Sequence, residues 1–387
     1  VMARAFAIFA SERPGPVHLA IPTDVITMEA EALDTSPWAM PSRPGPDPAA
    51  LEAAADMLRT AKKPVLALGG GCTDAAGRIG ELADLLDAPV TLTHNAKGVL
   101  PARHPLLIRS SPSYEPVRDL YREADVILGI GTEFSETDYD FFFDGQFALG
   151  GKLIRIDIDG AQLVRNERPE IAKNSDASLA IDALLPLLSA GKRRGPDQTA
   201  AVNRKLKALD NPHYQTFLDS LQQALPGAAV FGDSTQPAYF AAAQYHAPEP
   251  RRFASAATGY GTLGYALPAA VGARLGLPDT PAIALIGDGG LQFTINELSA
   301  AVEAKISVAV VVWNNERYEM IAQNFESAGM SPIACDIHTP DFLAIARAYG
   351  CEAVRATTPG ELVKALASSV KFAGPTLIEV REQDFLE

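Results

Sequence analysis

Cationic side chains are in short supply in this sequence. Thirty-three Lys and Arg stand against 47 Asp and Glu, giving the 387-residue chain a formal charge of −14. That balance repels phosphate backbones, and the one basic cluster, GKRRG at residues 191–195, reads as a solvated linker, so no nucleic-acid partner is expected. Cysteine is scarcer still. Cys72, Cys335 and Cys351 are odd in number and show neither CxxC spacing nor a nearby histidine pair, which excludes a disulfide framework and a cysteine-rich zinc site and suits a reducing, cytoplasmic setting. Long apolar runs are missing too. None approaches the ~20 residues that a bilayer crossing needs, and the opening VMARAFAIFASERPG carries no small-residue cleavage site, so neither a membrane span nor a secretory leader is expected.

What is present is alternation. The length suits two or three domains. Residues 1–30 offer an amphipathic helix over 1–9 and a short buried strand over 16–25, but no partner to cover them, so they read as the tail of a third domain. Residues 31–47 form a linker punctuated by Pro37, Pro41, Pro44 and Pro46. Over 48–190, the runs PVLALGGG, PVTLT, ADVILGIG and KLIRIDID alternate with helical periods; after a second linker at 191–210, AAVFGDST, RRFASAA, PAIALIGDGG, SVAVVVWNN and PTLIEV do the same over 211–387. The expected fold is α/β, with two doubly wound parallel-sheet domains.

Ligands of such sheets sit beyond the carboxyl ends of the strands, where glycines and helix N-termini present N–H groups to anions. FGDSTQ places Ser234, Thr235 and Gln236 there, and IGDGGLQ places Gly287, Asp288, Gly289 and Gly290 there. Together they resemble a diphosphate cradle. Asp288 at one strand end and Asn315 at the next supply a charged and a neutral oxygen, a donor pair suited to Mg²⁺ that keeps phosphate and water in its other positions. A cation so poorly neutralised by protein should arrive with an anionic partner.

GDG, a segment of this length, and then NN resemble the signature of thiamine diphosphate enzymes, and the likeness runs over nearly the whole chain. The resemblance implies thiamine diphosphate and Mg²⁺ as cofactors. Asp288, Asn315 and the backbone carbonyl of Arg317 would hold the metal; Ser234, Thr235, Gln236, Gly287, Gly289 and Gly290 would surround the diphosphate; Tyr318 would lie near the aminopyrimidine. TGYGTLGYALPAAVGA, residues 258–273, is similar to the family stretch in which an apolar wedge, here Leu263, bends the cofactor and a carbonyl, here that of Gly261, accepts a bond from its amine. The opening residues resemble the last helix and strand of the family's pyrimidine-binding domain. That domain normally supplies the glutamate that activates the cofactor, and no residue here takes the role. The chain is therefore expected to be part of a protein ~160 residues longer, inactive by itself, and to work as a homodimer or dimer of dimers.

The family reaction begins on a small 2-oxo acid: its carbonyl adds to the cofactor's C2 ylide and CO₂ leaves. GTEFSETDYDFFFDGQF, RIDIDGAQL and the GDG segment look most like 5-guanidino-2-oxopentanoate decarboxylases. A guanidinium substrate suits a carboxylate fork, for which Glu319 and Glu326 are candidates beside a solvated-face reading. Glu133 and Glu136, where flavin-dependent relatives often carry an arginine, make FAD unexpected. They argue against an acetolactate synthase-like carboligase, as does Asn324 near the place of those enzymes' specificity tryptophan. A non-catalytic member of the family is the third reading. His94 is a candidate proton donor or a structural loop residue, and His104 reads as structural.

Overall fold

The computed structural model describes residues 1–11, 13–30, 34–140 and 143–385; residues 31–33 of the first expected linker and 141–142 of the GTEFSETDYDFFFDGQF motif lie outside the described residues. Two sheets, parallel throughout, organise the chain. The first contains β1 (Pro64–Leu68), β2 (Val90–Leu92), β3 (Val126–Ile130), β4 (Lys152–Asp157) and β5 (Ile171–Asn174), in the order β2-β1-β3-β4-β5. β1 and β3 are buried at every position because helices cover both faces. One face is closed by Leu51, Leu58, Ile79 and Leu82 of the helices Pro48–Thr60 and Ala76–Leu86, and the other by Val117 and Tyr121 of Glu115–Glu123.

The second sheet contains β6 (Ala229–Gly232), β7 (Phe253–Ser255), β8 (Ala282–Gly287), β9 (Val308–Asn314), β10 (Glu352–Arg355) and β11 (Pro375–Arg381), in the order β10-β11-β9-β8-β6-β7. Chain order reverses between β6 and β8, since β7 lies to one side of β6 and β8 to the other. A crevice beyond the carboxyl ends of β6 and β8 is the place that open α/β sheets use for ligands. Phe217, Leu221, Trp313 and Leu366 fill the core on one face; Leu267, Ile286, Leu298 and Phe342 fill it on the other.

Three expectations are corrected. Residues 16–25 form no strand: 14–22 have no regular structure, Thr23–Ile26 is a short helix, and Ile21 and Val25 are exposed. A strand needs a neighbour to take its ladder bonds, and neither sheet offers one there. The helix at the opening is real, Met2–Ser11, with only Ala5 buried and Phe6 and Phe9 exposed. The second linker is largely the helix Gly195–Lys207, which buries Thr199 and Leu206. Its basic lead-in is not simply solvated: Arg193 donates to the carbonyls of Ala61, Leu86 and Leu58, capping the ends of two helices.

The two domains are fastened by the HNAKG loop. Buried Lys97 donates from Nζ to the carbonyls of Tyr245 (2.8 Å) and Ala243 (3.4 Å) at the end of the helix Gln236–Gln244. Beside it Gly98 has φ +91°, and a Cβ there would stand 2.1 Å from the Glu249 carbonyl oxygen, so the contact admits only glycine. Among the described residues, no helix is long and apolar enough to cross a membrane.

Candidate functional site

β6 and β8 end side by side, with Gly232 in register with Leu285. The chain then leaves β6 through Asp233, Ser234 and Thr235 into the helix Gln236–Gln244, and leaves β8 at Gly287 into the helix Asp288–Thr294. Thr235 precedes its helix in an extended conformation and does not cap it with its hydroxyl. Its side chain lies within 3.2 Å of where a Cβ on Gly287 would stand, so the two turns meet at that glycine.

Asp288 opens the second helix and is 2 % exposed. Its Oδ1 accepts from the Gly289 N–H (2.9 Å), while Oδ2 is buried with no hydrogen-bond partner. Burial pushes this carboxyl up to about 6, although N–H donors of Gly289 and Glu316 pull the other way. An orphaned, desolvated carboxylate oxygen is costly unless a cation reaches it.

On the next strand Gly287 is in register with Trp313, so the paired asparagines lie just beyond the level of Asp288. They divide the work. Asn314 turns into the sheet, where its Nδ2 donates to Glu379 (2.8 Å). Asn315, the first residue past β9, is half-buried, and its Oδ1 accepts a long bond from the Arg317 N–H (3.3 Å). Glu316 takes φ +57°, and the turn is clamped by an antiparallel bridge between Arg317 and Asp336, through Tyr318 N–H to the Cys335 carbonyl and Ile337 N–H to the Glu316 carbonyl. In that pattern the carbonyl of Arg317 itself is not used by the bridge. Tyr318 is folded back onto Gly289, where a Cβ would meet its ring at 2.6 Å.

The stretch at 258–265 approaches from the third side. Gly261 has φ +66° and is exposed; Leu263 is half-buried and belongs to none of the packed cores. What holds this stretch is a residue that the sequence reading passed over. Asp233 is fully buried; Oδ1 accepts from the Ser234 N–H (2.9 Å) and Oδ2 from the Ala266 N–H (3.1 Å), and burial raises its carboxyl against the pull of these and neighbouring N–H groups. It thus ties the entry of the helix Ala266–Gly276 to the end of β6. The signal was available: GDS and GDG close neighbouring strands, and two acids in equivalent places invite two roles.

Asp288, Gly289, Asn315, Arg317 and Tyr318 therefore come together, with Ser234, Thr235 and Gln236 across from them. Among the described residues no three His, Cys, Asp or Glu side chains converge as a metal cluster. A cation here would be held by one carboxylate, one amide and one carbonyl, and the orphaned Oδ2 of Asp288 fits that donor set. Glu319 and Glu326 do not form an open fork. Both carboxylates pair with Arg317 (3.4 and 3.0 Å), so a guanidinium of the chain itself already stands between them. His104 holds a turn, its Nδ1 accepting from Leu106 N–H. His94 is buried; its backbone N–H donates to Asp138 Oδ1 (2.8 Å), and burial lowers its imidazole below the ordinary range. Glu133 is paired with Arg13 and Arg165 at the edge of a cleft of about 660 Å³ lined by both domains and by the opening segment.

Comparison with known proteins bears on the same two domains. Residues 51–184 match the thiamine pyrophosphate enzyme central domain, and 233–380 match the thiamine pyrophosphate enzyme C-terminal TPP binding domain. The "Probable 2-ketoarginine decarboxylase AruI" of Pseudomonas aeruginosa is 37 % identical over 98 % of this chain and 69 % of its own length. The "Acetolactate synthase isozyme 1 large subunit" of Escherichia coli is 32 % identical with the same coverage. The crystal structure of benzoylformate decarboxylase from Polynucleobacter necessarius superposes with a TM-score of 0.79 at 24 % identity, over 98 % of this chain and 72 % of that one, a likeness of fold. The chain belongs to the thiamine pyrophosphate enzyme family and carries its central domain and its C-terminal TPP-binding domain.

Proposed function

We propose that this chain, within its full-length protein, decarboxylates 5-guanidino-2-oxopentanoate with thiamine diphosphate and Mg²⁺. The observation that carries the cofactor half of the reading is the buried, unpartnered Oδ2 of Asp288 at the strand crevice, with Asn315 just past the end of the next strand. The substrate rests on the 37 % identity to the 2-ketoarginine decarboxylase relative.

The cofactor, when bound, supplies the electron sink that lets CO₂ leave a 2-oxo acid. The chain supplies placement. Asp288, Asn315 and the Arg317 carbonyl would hold Mg²⁺; Ser234, Thr235, Gln236 and the backbone of 287–290 would hold the diphosphate oxygens; Tyr318 is kept at the site by its packing on Gly289. Leu263, outside the cores, would give the cofactor an apolar surface, and the Gly261 carbonyl would accept a bond from its amine, with Asp233 fixing the entry of the helix that follows. Family sites form between subunits, so a homodimer or dimer of dimers is the working unit.

The test is calorimetry of the full-length protein with thiamine diphosphate, with and without Mg²⁺, followed by CO₂ release from 5-guanidino-2-oxopentanoate. The E. coli acetolactate synthase relative makes carboligation the second reading. Acetolactate from pyruvate, with no CO₂ from the guanidino acid, would decide for it.

A further inference from the structure

With Arg317 already between Glu319 and Glu326, a second place suits a guanidinium substrate better. A cavity of about 280 Å³ opens between the two domains and shares Gln236 with the proposed diphosphate cradle and Met320 with the segment that follows Tyr318. Three tyrosines line it: Tyr114 from the first domain, and Tyr214 and Tyr239 from the second. Among the described residues, neither lysine nor arginine lines it; Lys97, close by, is spent on the Ala243 and Tyr245 carbonyls.

Each of these tyrosines has an acid beside it. Burial, and then the neighbouring carboxylate, raise all three phenols: Asp210 acts on Tyr114, Glu382 and Glu319 on Tyr214, and Asp233 on Tyr239. Glu382 is fixed in place, accepting from the Tyr214 hydroxyl (3.4 Å) and from the Trp313 Nε1–H (3.2 Å). Aromatic faces backed by carboxylates attract a delocalised cation, and a planar guanidinium is the side chain that stacks best on such faces. A neutral aromatic or aliphatic substituent would find the same walls but gain nothing from the acids.

We propose that this three-tyrosine cavity is the subsite for the cationic end of the substrate, holding a guanidinium by aromatic stacking, with Glu382 behind Tyr214 and Asp210 between the lining residues Leu209 and Asn211, rather than in a carboxylate fork. The proposal rests on the decarboxylase reading for the reactive end of the substrate, and its test separates the two. Calorimetry on the full-length protein loaded with Mg²⁺ and thiamine diphosphate would compare 4-guanidinobutanoate with its neutral isostere 6-methylheptanoate. The cation should bind at least about tenfold more tightly. Tyr214→Leu should weaken it about 3- to 30-fold, Tyr214→Phe should retain most of the affinity, and the isostere should change less than about twofold. Because Tyr214 also packs on Phe240 and Trp313, Asp210→Asn provides a variant that changes charge alone, expected to cost the cation about 2- to 5-fold. Equal binding of the two ligands, or equal loss in the variants, would overturn the proposal. CO₂ release without a charge preference would leave the decarboxylase reading standing and the subsite not; a charge preference without CO₂ release would do the reverse.

Discussion

Replacing Asp288 by Asn should strengthen the cofactor-free protein while removing its cofactor. The carboxyl sits near 6 in the folded chain against an ordinary 3.8. A group raised in this way costs nothing well below pH 4, where both folded and unfolded forms are protonated; its penalty builds as pH rises from about 4 to about 6 and is constant above that. The full shift amounts to about 3 kcal/mol, of which about 2 kcal/mol should develop between pH 4 and 8. The amide keeps an acceptor for the Gly289 N–H but places an NH₂ where Oδ2 finds no partner, a cost of about 1–3 kcal/mol. That cost does not vary with pH. The quantity to measure is therefore the difference in urea stability between variant and wild type, without Mg²⁺ or thiamine diphosphate, followed by the fluorescence of Trp313 in the second-domain core. It should move in favour of the variant by about 2 kcal/mol from pH 4 to pH 8. With both ligands added, wild type should gain about 2.7 kcal/mol at one hundred times Kd, and the variant almost nothing. A pH-independent difference, together with an undiminished ligand gain in the variant, would refute the reading of Asp288 as a desolvated carboxylate awaiting a cation.

The two asparagines should separate by readout. Asn314→Ala breaks the bond to Glu379 and should cost about 1–3 kcal/mol in urea unfolding; Asn315→Ala should leave stability within about 0.5 kcal/mol and weaken Mg²⁺-dependent cofactor binding in calorimetry. Asp233→Ala removes the acceptor of several buried N–H groups and should destabilise by at least about 3 kcal/mol, with Asp233→Asn intermediate, as read by denaturation. Gly289→Ala drives a methyl into the Tyr318 ring and should lower cofactor affinity about tenfold for about 1–3 kcal/mol of strain, checked by calorimetry and melting together. Purified full-length protein should show no flavin absorbance: the 660 Å³ cleft is lined by Asp74, Glu133, Asp138, Asp157 and Asp176 against Arg13, Arg43 and Arg251.

What the sequence made legible was whatever is buried on both sides. Each of the unbroken apolar runs PVLAL, VILGI, AIALIG and VAVVVWN became a strand because a central parallel strand must be apolar on both faces. Two of the four edge strands escaped the same reading: β5 and β10 are half-exposed, so Ile171–Asn174 and Glu352–Arg355 carry too few apolar residues to stand out. The helix Gly195–Lys207 escaped because its buried contacts reduce to a few residues, while Arg, Lys and Gln face water. Residues 16–25 erred the other way, since β character in a sequence becomes a strand only beside another strand. At the proposed site, position in the sequence suggested Asp288 and Asn315. Their division of labour with Asp233 and Asn314 could not be read in that way, because which acid or amide turns inward depends on contacts far away along the chain, at Ala266 and Glu379. Likewise the pairing of Glu319 and Glu326 with Arg317 depends on a folded turn that no spacing rule encodes.

The helix Gln236–Gln244 touches the cradle at its first residue and Lys97 just past its last. Nine residues of helix span about 13 Å, and over that length it behaves as a strut. The first domain therefore cannot rock against the second without tugging on the end that would hold the diphosphate. Cofactor loading and domain seating should be one event, so that a protease able to cut between the domains in the empty protein would find its target closed once the cradle is filled.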